Sequence, residues 1–283
     1  MACRRSLRLG YALRQATTAI CHRWLADTRA GPVWKYGVIA SVTHLFRKHR
    51  RRSAMQVTEC LNLVSRFGIA SDANAHEASP RQVLLVSSDT LSNLSVAPGA
   101  LRENVVLSSP DVQGLGAGSR LRVGEAILRI SFPCDPCHLL QKDSGLSPSE
   151  ARGRRGMLAT VVRGGEVKVG DGARVIAGPD LDGLPPNARD RVGWLVSRIP
   201  SGYCATFGDL ARAAGLPPGA ARSLPQALQR RVDVPHHRVV VSDSRRIPVE
   251  QMERLTAEGI GNPAARRWRW LDVIYGPSSE VSA

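Results

Sequence analysis

RLRVGEAILRI, Arg120 to Ile130, is the stretch on which the reading of residues 33–177 turns. Two β-prone runs meet at Gly124-Glu125, and glycine at the first turn position suits the type II′ turn of a tight hairpin. The same signal recurs on either side. YGVIASV, VTECLNLV, RQVLLVS and ENVVL are short apolar or alternating runs rich in β-branched residues. Downstream, MLATVVRGGEVKVGDGARV repeats the pattern around Gly164-Gly165, with Gly170-Asp171 as a further turn. Many short strands with glycine turns predict a closed or nearly closed β-barrel, interrupted by a helix near Asp89–Leu94.

AGPDLDGLPPNA ends this region as a proline- and glycine-rich linker, and beyond it the period changes. In NARDRVGWLVSRIP the apolar Val192, Leu195, Val196 and Ile199 fall at i, i+3, i+4 and i+7. That spacing is one helix face, capped by Asn187 and stopped by Pro200. Thr206 and Asp209 have capping-box-like spacing before a short helix that Gly215 ends. An LPPG turn leads into AARSLPQALQRR and completes a helix-turn-helix outline, whose second helix is the usual reader of DNA. The expected fold is α+β in two domains, a β-barrel followed by a small helical domain of winged-helix or helix-turn-helix type. The expected boundaries are a basic arm (1–32), barrel (33–177), linker (178–187), helical domain (188–261) and tail (262–283).

The 283 residues suffice for two domains, and 43% hydrophobic with 22% charged residues is a globular composition. The formal charge of +15 is uneven: residues 1–52 hold 12 Lys and Arg against Asp27 alone, or +11. From Asn187 onward 14 Arg face 9 acidic residues, or +5, which leaves the middle near neutrality. Arg14 interrupts the arm before any apolar run reaches signal-peptide length, so secretion is not expected, and the arm reads as a disordered or mis-assigned leader in preference to a transit peptide. No segment approaches the run of about 18 apolar residues that spans a bilayer, so no membrane partner is expected. The six cysteines lack a disulfide-framework spacing, and a cytoplasmic location is expected.

VPHHRVVVSD sets His236 beside His237. A zinc site would need further ligands, and no Cys/His cluster flanks the pair. A purely structural pair, satisfied by hydrogen bonds in the core, is the plain alternative. The ordered series RIPSGYCATFGDLARAAGLPPGAARSLPQAL, VPHHRVVVSDSRRIP and MERLTAEGI resembles the C-terminal DNA-binding domain of O-alkylguanine-DNA alkyltransferases over roughly residues 188–261. In that family the stretch is Pro-Cys-His-Arg-Val, and its histidine-assisted thiolate takes the alkyl group. His236 stands at the cysteine position, so the resemblance implies an alkyltransferase-like protein without transfer activity. Such proteins bind alkylated guanine in DNA and flag it for nucleotide excision repair; they usually carry Trp where this chain has His. The resemblance makes His236, His237 and Glu258 the lesion pocket and Phe207, Arg222 and Arg238 the DNA contacts. Arg222 matches the arginine inserted into the base stack, and Phe207 the tyrosine that crowds a phosphate. Leu224-Pro225 replaces the family's Val-Gly, and an interior proline costs a helix about 3 kcal/mol. A late start, with Ser223 as N-cap and Pro225 in the first turn, avoids that cost but leaves Arg222 outside the helix.

FPCDPCHLLQ carries the second constellation, Cys134 and Cys137 with His138 adjacent. This is half a structural zinc site, and the βαβ context of a thioredoxin-like pair is absent. SRFGIASDANA, RQVLLVSSDTL, PGALRENVVL, GSRLRVGEAILRI, PCDPCHLL and GRRGMLATVVRGGEVKVGD resemble, in order, the MOSC domain, the β-barrel named from the C-termini of molybdenum-cofactor sulfurases. Cys137 matches the family's cysteine, which implies a soft thiolate that carries sulfur or ligates molybdenum. Arg81, Arg102, Arg154 and Arg155 are then candidates to hold a molybdopterin phosphate. The family's Gly-Asp-x-His is here Ser71-Asp72-Ala73-Asn74, with His76 displaced. No pyridoxal-phosphate lysine motif is present, so that cofactor is not expected. An inherited barrel with an inert cysteine is the plain alternative.

Three functions are compatible with these features. One is a molybdenum-cofactor-binding protein whose module recognises alkylated guanine without repairing it. Another is a molybdenum-dependent reductase of N-hydroxylated bases or similar compounds, with Cys137 as metal ligand and catalytic residue. The third is a sulfur carrier or cofactor chaperone with a decayed DNA-binding module.

Overall fold

A computed structural model describes residues 39–108, 112–177, 182–231 and 233–276, all within one compact unit; the basic arm over 1–32 lies outside them. Seven strands close a barrel in the order β1 (Ile39–Arg47), β11 (Gly172–Ile176), β7 (Arg120–Val123), β8 (Ala126–Pro133), β9 (Met157–Arg163), β5 (Val83–Ser87) and β6 (Val105–Leu107), which returns to β1. A short β2 (Gln56–Thr58) extends the sheet along the end of β1. The hairpin of Arg120–Ile130 forms as expected, with Val123 opposite Ala126 and Gly124 at φ +54°. Along β7, Leu121 and Val123 turn into the barrel while Arg120 and Arg122 stay partly exposed. β5 and β6 run parallel, which requires a crossover. The crossover begins with helix α1 (Ser88–Asn93), where the Ser87 hydroxyl accepts the Thr90 N–H at 3.1 Å.

The second glycine pair does something other than turn a hairpin. After Gly164, strand β10 (Gly165–Lys168) leaves β9 and pairs with β3 (Cys60–Val64), which also pairs with β4 (Gly68–Ile69) in a separate three-stranded sheet. A Cβ on Gly164 would lie 2.5 Å from the Leu63 carbonyl oxygen, and one on Gly165 2.6 Å from Glu125 Cβ. The glycines serve close approach where the chain crosses between sheets.

Leu45, Leu85, Leu121, Leu128 and Val161 fill the barrel interior, each burial stabilising by about 1.5–3 kcal/mol. A second core joins the outer face of the barrel to the C-terminal region. In it Leu84, Val86, Val106, Phe132 and Leu158 pack with Leu195, Val196, Leu210 and Trp270. β5 is therefore buried on both faces, which is why VLLVS is apolar throughout and does not alternate.

The C-terminal region starts with α4 (Ala188–Ser197), capped by Asn187, whose Val192, Leu195 and Val196 are buried as the spacing predicts. α5 (Phe207–Ala213) is capped by Thr206, which accepts the Asp209 N–H at 3.0 Å. The chain then forms a 3₁₀ turn over Pro218–Arg222 and α6 (Leu224–Gln229). β12 (Ala205–Thr206) and β13 (Val239–Val240) pair in parallel, and α7 (Val249–Ala257) follows. Of the segment read as a tail (262–283), the described part, 262–276, folds onto the barrel through α8 (Leu271–Tyr275). Trp270 Nε1 donates to the Leu195 carbonyl at 2.8 Å, Gln82 Nε2 donates to the Tyr275 hydroxyl at 2.5 Å, and Arg129 donates to the carbonyls of Val273 and Ile274. The apolar run WLDVIY has a face to bury, and the barrel wall supplies it.

Candidate functional site

In the helical module the site is built around a 3₁₀ turn, His236–Arg238, that runs into β13. Pairing of β13 with β12 sets Val239 opposite Ala205 and so brings the turn beside the start of α5. Gln251 of α7 fixes the turn from below by donating to the carbonyls of His237 at 2.8 Å and Val239 at 2.9 Å. Glu258, at the end of the same helix, accepts from two sides. His237 Nε2 lies 2.7 Å from Oε1, and Arg238 grips the carboxylate with Nε at 2.8 Å and Nη2 at 2.9 Å. Burial alone would raise the Glu258 pKa, but the Arg238 and His237 hydrogen bonds outweigh it and hold it at about 2. The carboxylate is therefore an anion at any physiological pH.

His236 meets His237 edge-on, with ring centroids 6.4 Å apart, and the Nδ1 atoms of both rings are buried without a hydrogen-bond partner among the described residues. The predicted pocket residues His236, His237 and Glu258 are thus assembled in one place. Arg238, predicted as a DNA contact, directs Nε and Nη2 to Glu258 and Nη1 to the Ile199 carbonyl at 2.7 Å, all inside the module. An imidazole in this setting can present a polar edge to a planar base. It is a weak nucleophile beside a thiolate.

α6 starts late, with Ser223 as its N-cap and Pro225 at its second position, where no intrahelical hydrogen bond is lost. Arg222 is exposed on the preceding 3₁₀ turn, outside the helix. Phe207 is half-buried at the first position of α5, against the shared core.

The barrel thiols lie where β8 ends. Cys137 is the N-cap of α2 (His138–Ser144), which a short α3 (Pro148–Ala151) follows, and is half-exposed, whereas Cys134 is buried. Gly156 shapes this corner: its carbonyl accepts the Cys134 N–H at 3.0 Å, and at φ +89° an added Cβ would sit 2.2 Å from the Leu85 oxygen. Of the four predicted arginines, Arg102 and Arg155 are buried, at 6% and 4% exposure. Arg102 pairs with Asp143 and donates to the Ser53 carbonyl at 2.8 Å; Arg155 donates to the Asp135 carbonyl at 2.7 Å and leaves Nε without a partner among the described residues. Arg81 reaches the Gly215 carbonyl at 3.2 Å and the Cys134 sulfur at 3.9 Å, and Arg154 is exposed.

Lys48, which nothing in the sequence marks, completes the cluster at 6% exposure. Burial lowers its pKa; Asp72, 3.9 Å away, opposes that shift, and Arg102 and Arg155 add to it. Arg191 was also hidden, one residue off an apolar helix stripe. Its guanidinium stacks 3.6 Å over Phe132 and donates to the carbonyls of Ala214, Pro185 and Pro186. Among the described residues no group of three or more His, Cys, Asp or Glu is placed to hold a metal ion.

Two family models match the chain, the MOSC domain over residues 72–174 and the 6-O-methylguanine DNA methyltransferase DNA binding domain over 187–260. The protein therefore joins a MOSC barrel to an alkyltransferase-type DNA-binding domain. Among solved structures it is similar to YiiM from Escherichia coli, 18% identical with 69% of this chain and 96% of that chain covered, at a TM-score of 0.43. It is also similar to the YUAD protein from Bacillus subtilis, 23% identical over 50% of this chain and 98% of that one, at 0.41. S. pombe Atl1, solved in complex with damaged DNA containing O6-carboxymethylguanine, is 29% identical, with 29% of this chain and 94% of that chain covered, at 0.25. No curated protein matches the chain.

Proposed function

We propose that this protein recognises alkylated guanine in DNA without removing the alkyl group. One observation carries the reading: the His237–Glu258–Arg238 framework is fully assembled around a position that holds an imidazole, His236, in place of a thiol. Extruding a base from the stack costs a few kcal/mol, and a pocket whose polar wall is already fixed lowers the ordering cost of accepting it. Exposed Arg222 is available to fill the vacated stack from the 3₁₀ turn. Hand-over of the lesion to nucleotide excision repair belongs to the same reading. Incubation of the full chain with O6-methylguanine duplex, followed by intact-mass measurement, tests it. An unchanged mass together with retained binding supports recognition without transfer; a stable alkyl adduct refutes it.

The barrel's role in this proposal is to hold a molybdenum cofactor. The residues present fit such a group: Cys137 offers a half-exposed thiol, and Arg155 Nε is buried and unmatched next to the cysteine loop. Bound there, the cofactor would supply redox chemistry at molybdenum. The chain's own part would be electrostatic, with the buried Lys48, Arg102 and Arg155 placing positive charge beside an anionic group. Metal and pterin analysis after expression in a host that makes the cofactor tests this half. Equal molybdenum in wild type and Cys137→Ser would remove it.

A further inference from the structure

Between the barrel and the module lies a cleft of about 410 Å³ that neither site above uses. The His76–Ala78 loop forms its barrel wall, Thr206, Arg212 and Ser242 its module wall, and Arg267, Arg269 and Trp270 close it from the C-terminal segment. Three guanidiniums converge on this space. Arg212 lies 3.6 Å from Asp209 and Arg269 3.4 Å from Glu77, and all four side chains are more than 40% exposed. These are loose pairs that solvent screens.

Arg267 has no carboxylate partner among the described residues. Its Nη1 is buried without a hydrogen bond, and a buried unmatched cationic donor in a native fold asks for a missing acceptor. The nearby Cys204 is not that acceptor: burial raises its pKa, and its thiol donates to the Pro263 carbonyl at 3.2 Å, so it is neutral. His76 adds no negative charge either. Its Nδ1 accepts the Ala78 N–H at 3.1 Å, which leaves Nε2 as the donor of the neutral ring. Trp270, 1% exposed on the floor, has φ +52°, a conformation that bulky residues adopt at a cost and that clusters at ligand sites. With Glu77 and Asp209 counted, three arginines against two carboxylates leave the lining at +1.

We propose that this cleft is a phosphate-group site built jointly by barrel and module. Forked guanidiniums suit phosphate oxygens, and the volume falls in the range of small-molecule sites, about 300–1,000 Å³. The phosphate has two possible sources, the backbone of bound DNA or a free nucleotide. The first source rests on the DNA reading of the module; the second does not.

Calorimetric titration of the full chain with inorganic phosphate, adenosine 5′-monophosphate and a plain 16-base-pair duplex tests the proposal, in wild type, Arg267→Gln and Arg212→Gln. Loss of a charge-assisted hydrogen bond predicts affinity about tenfold weaker in Arg267→Gln for whichever ligand the cleft takes, with the melting temperature unchanged. A drop confined to the duplex assigns the DNA backbone, and a drop confined to the nucleotide or phosphate assigns the free ligand. Unchanged affinity for all three in folded Arg267→Gln overturns the proposal. If Arg267→Gln does not fold, the exposed Arg212→Gln decides, and unchanged affinity there overturns it equally. A wild type that binds the duplex as tightly as both variants defeats the cleft and leaves the DNA reading standing. A wild type that binds nucleotide but no duplex does the reverse.

Discussion

Glu258 accepts one neighbour through a fork and the other through a ring nitrogen, and its acidity records both. Its pKa of about 2 against an ordinary 4.5 is depressed on folding. The stability it contributes is therefore complete above about pH 4.5 and is lost as pH falls towards 2. At pH 7, Glu258→Gln should cost about 2 kcal/mol, the worth of a hydrogen bond to a charged group. In chemical denaturation from pH 7 to pH 3 the wild-type and variant stabilities should converge; parallel curves would contradict the Arg238–Glu258–His237 assignment. The thiols give a second prediction at this scale. Cys60 is exposed and Cys137 half-exposed, while Cys134 and Cys204 are buried. Iodoacetamide on the native protein should label the first two well before the others, as peptide mass spectrometry would show. Comparable rates at Cys134 and Cys137 would remove the distinction between the two thiols.

At the scale of elements, the late start of α6 converts a damaging proline into a compatible one. Pro225→Ala should then change stability by less than about 1 kcal/mol, where an interior proline would give a gain of about 3. Gly215 behaves oppositely. It ends the α5 turn at φ +65°, and a Cβ there would meet Phe132 Cζ at 2.6 Å, so Gly215→Ala should destabilise by about 2 kcal/mol or more. Thermal melts check both. The hairpin at Gly124, the α1 crossover helix and the apolar stripe of α4 were legible because local turn chemistry and period determine them. The path of β10 was not, because Gly164-Gly165 carries the same letters whether a strand folds back or departs to another sheet. Lys48 and Arg191 escaped for a related reason. Burial of a lone cation is decided by what the fold brings to it, Asp72 for Lys48, and Phe132 and the Ala214 carbonyl for Arg191.

At the scale of the molecule, the two family matches are not two independent bodies. Phe132 and Leu158 of the barrel share a core with Leu195 and Trp270, Arg191 stacks on Phe132 across that junction, and Arg129 of the barrel donates to the Ile274 carbonyl of the C-terminal segment. Calorimetric unfolding of the full chain should give one transition, and residues 182–276 alone should not fold; two separate transitions would contradict the shared core. For this reason the lesion test belongs on the full chain. The measurement is competition binding of an O6-methylguanine duplex against the identical plain duplex, at several matched salt concentrations. Phosphate contacts should lower both affinities together, with a slope of about −0.9 per phosphate neutralised. The prediction is a preference of about tenfold for the lesion that persists at every salt concentration and disappears in Arg222→Ala. Equal affinity for the two duplexes throughout would contradict lesion recognition and leave the barrel as the seat of function.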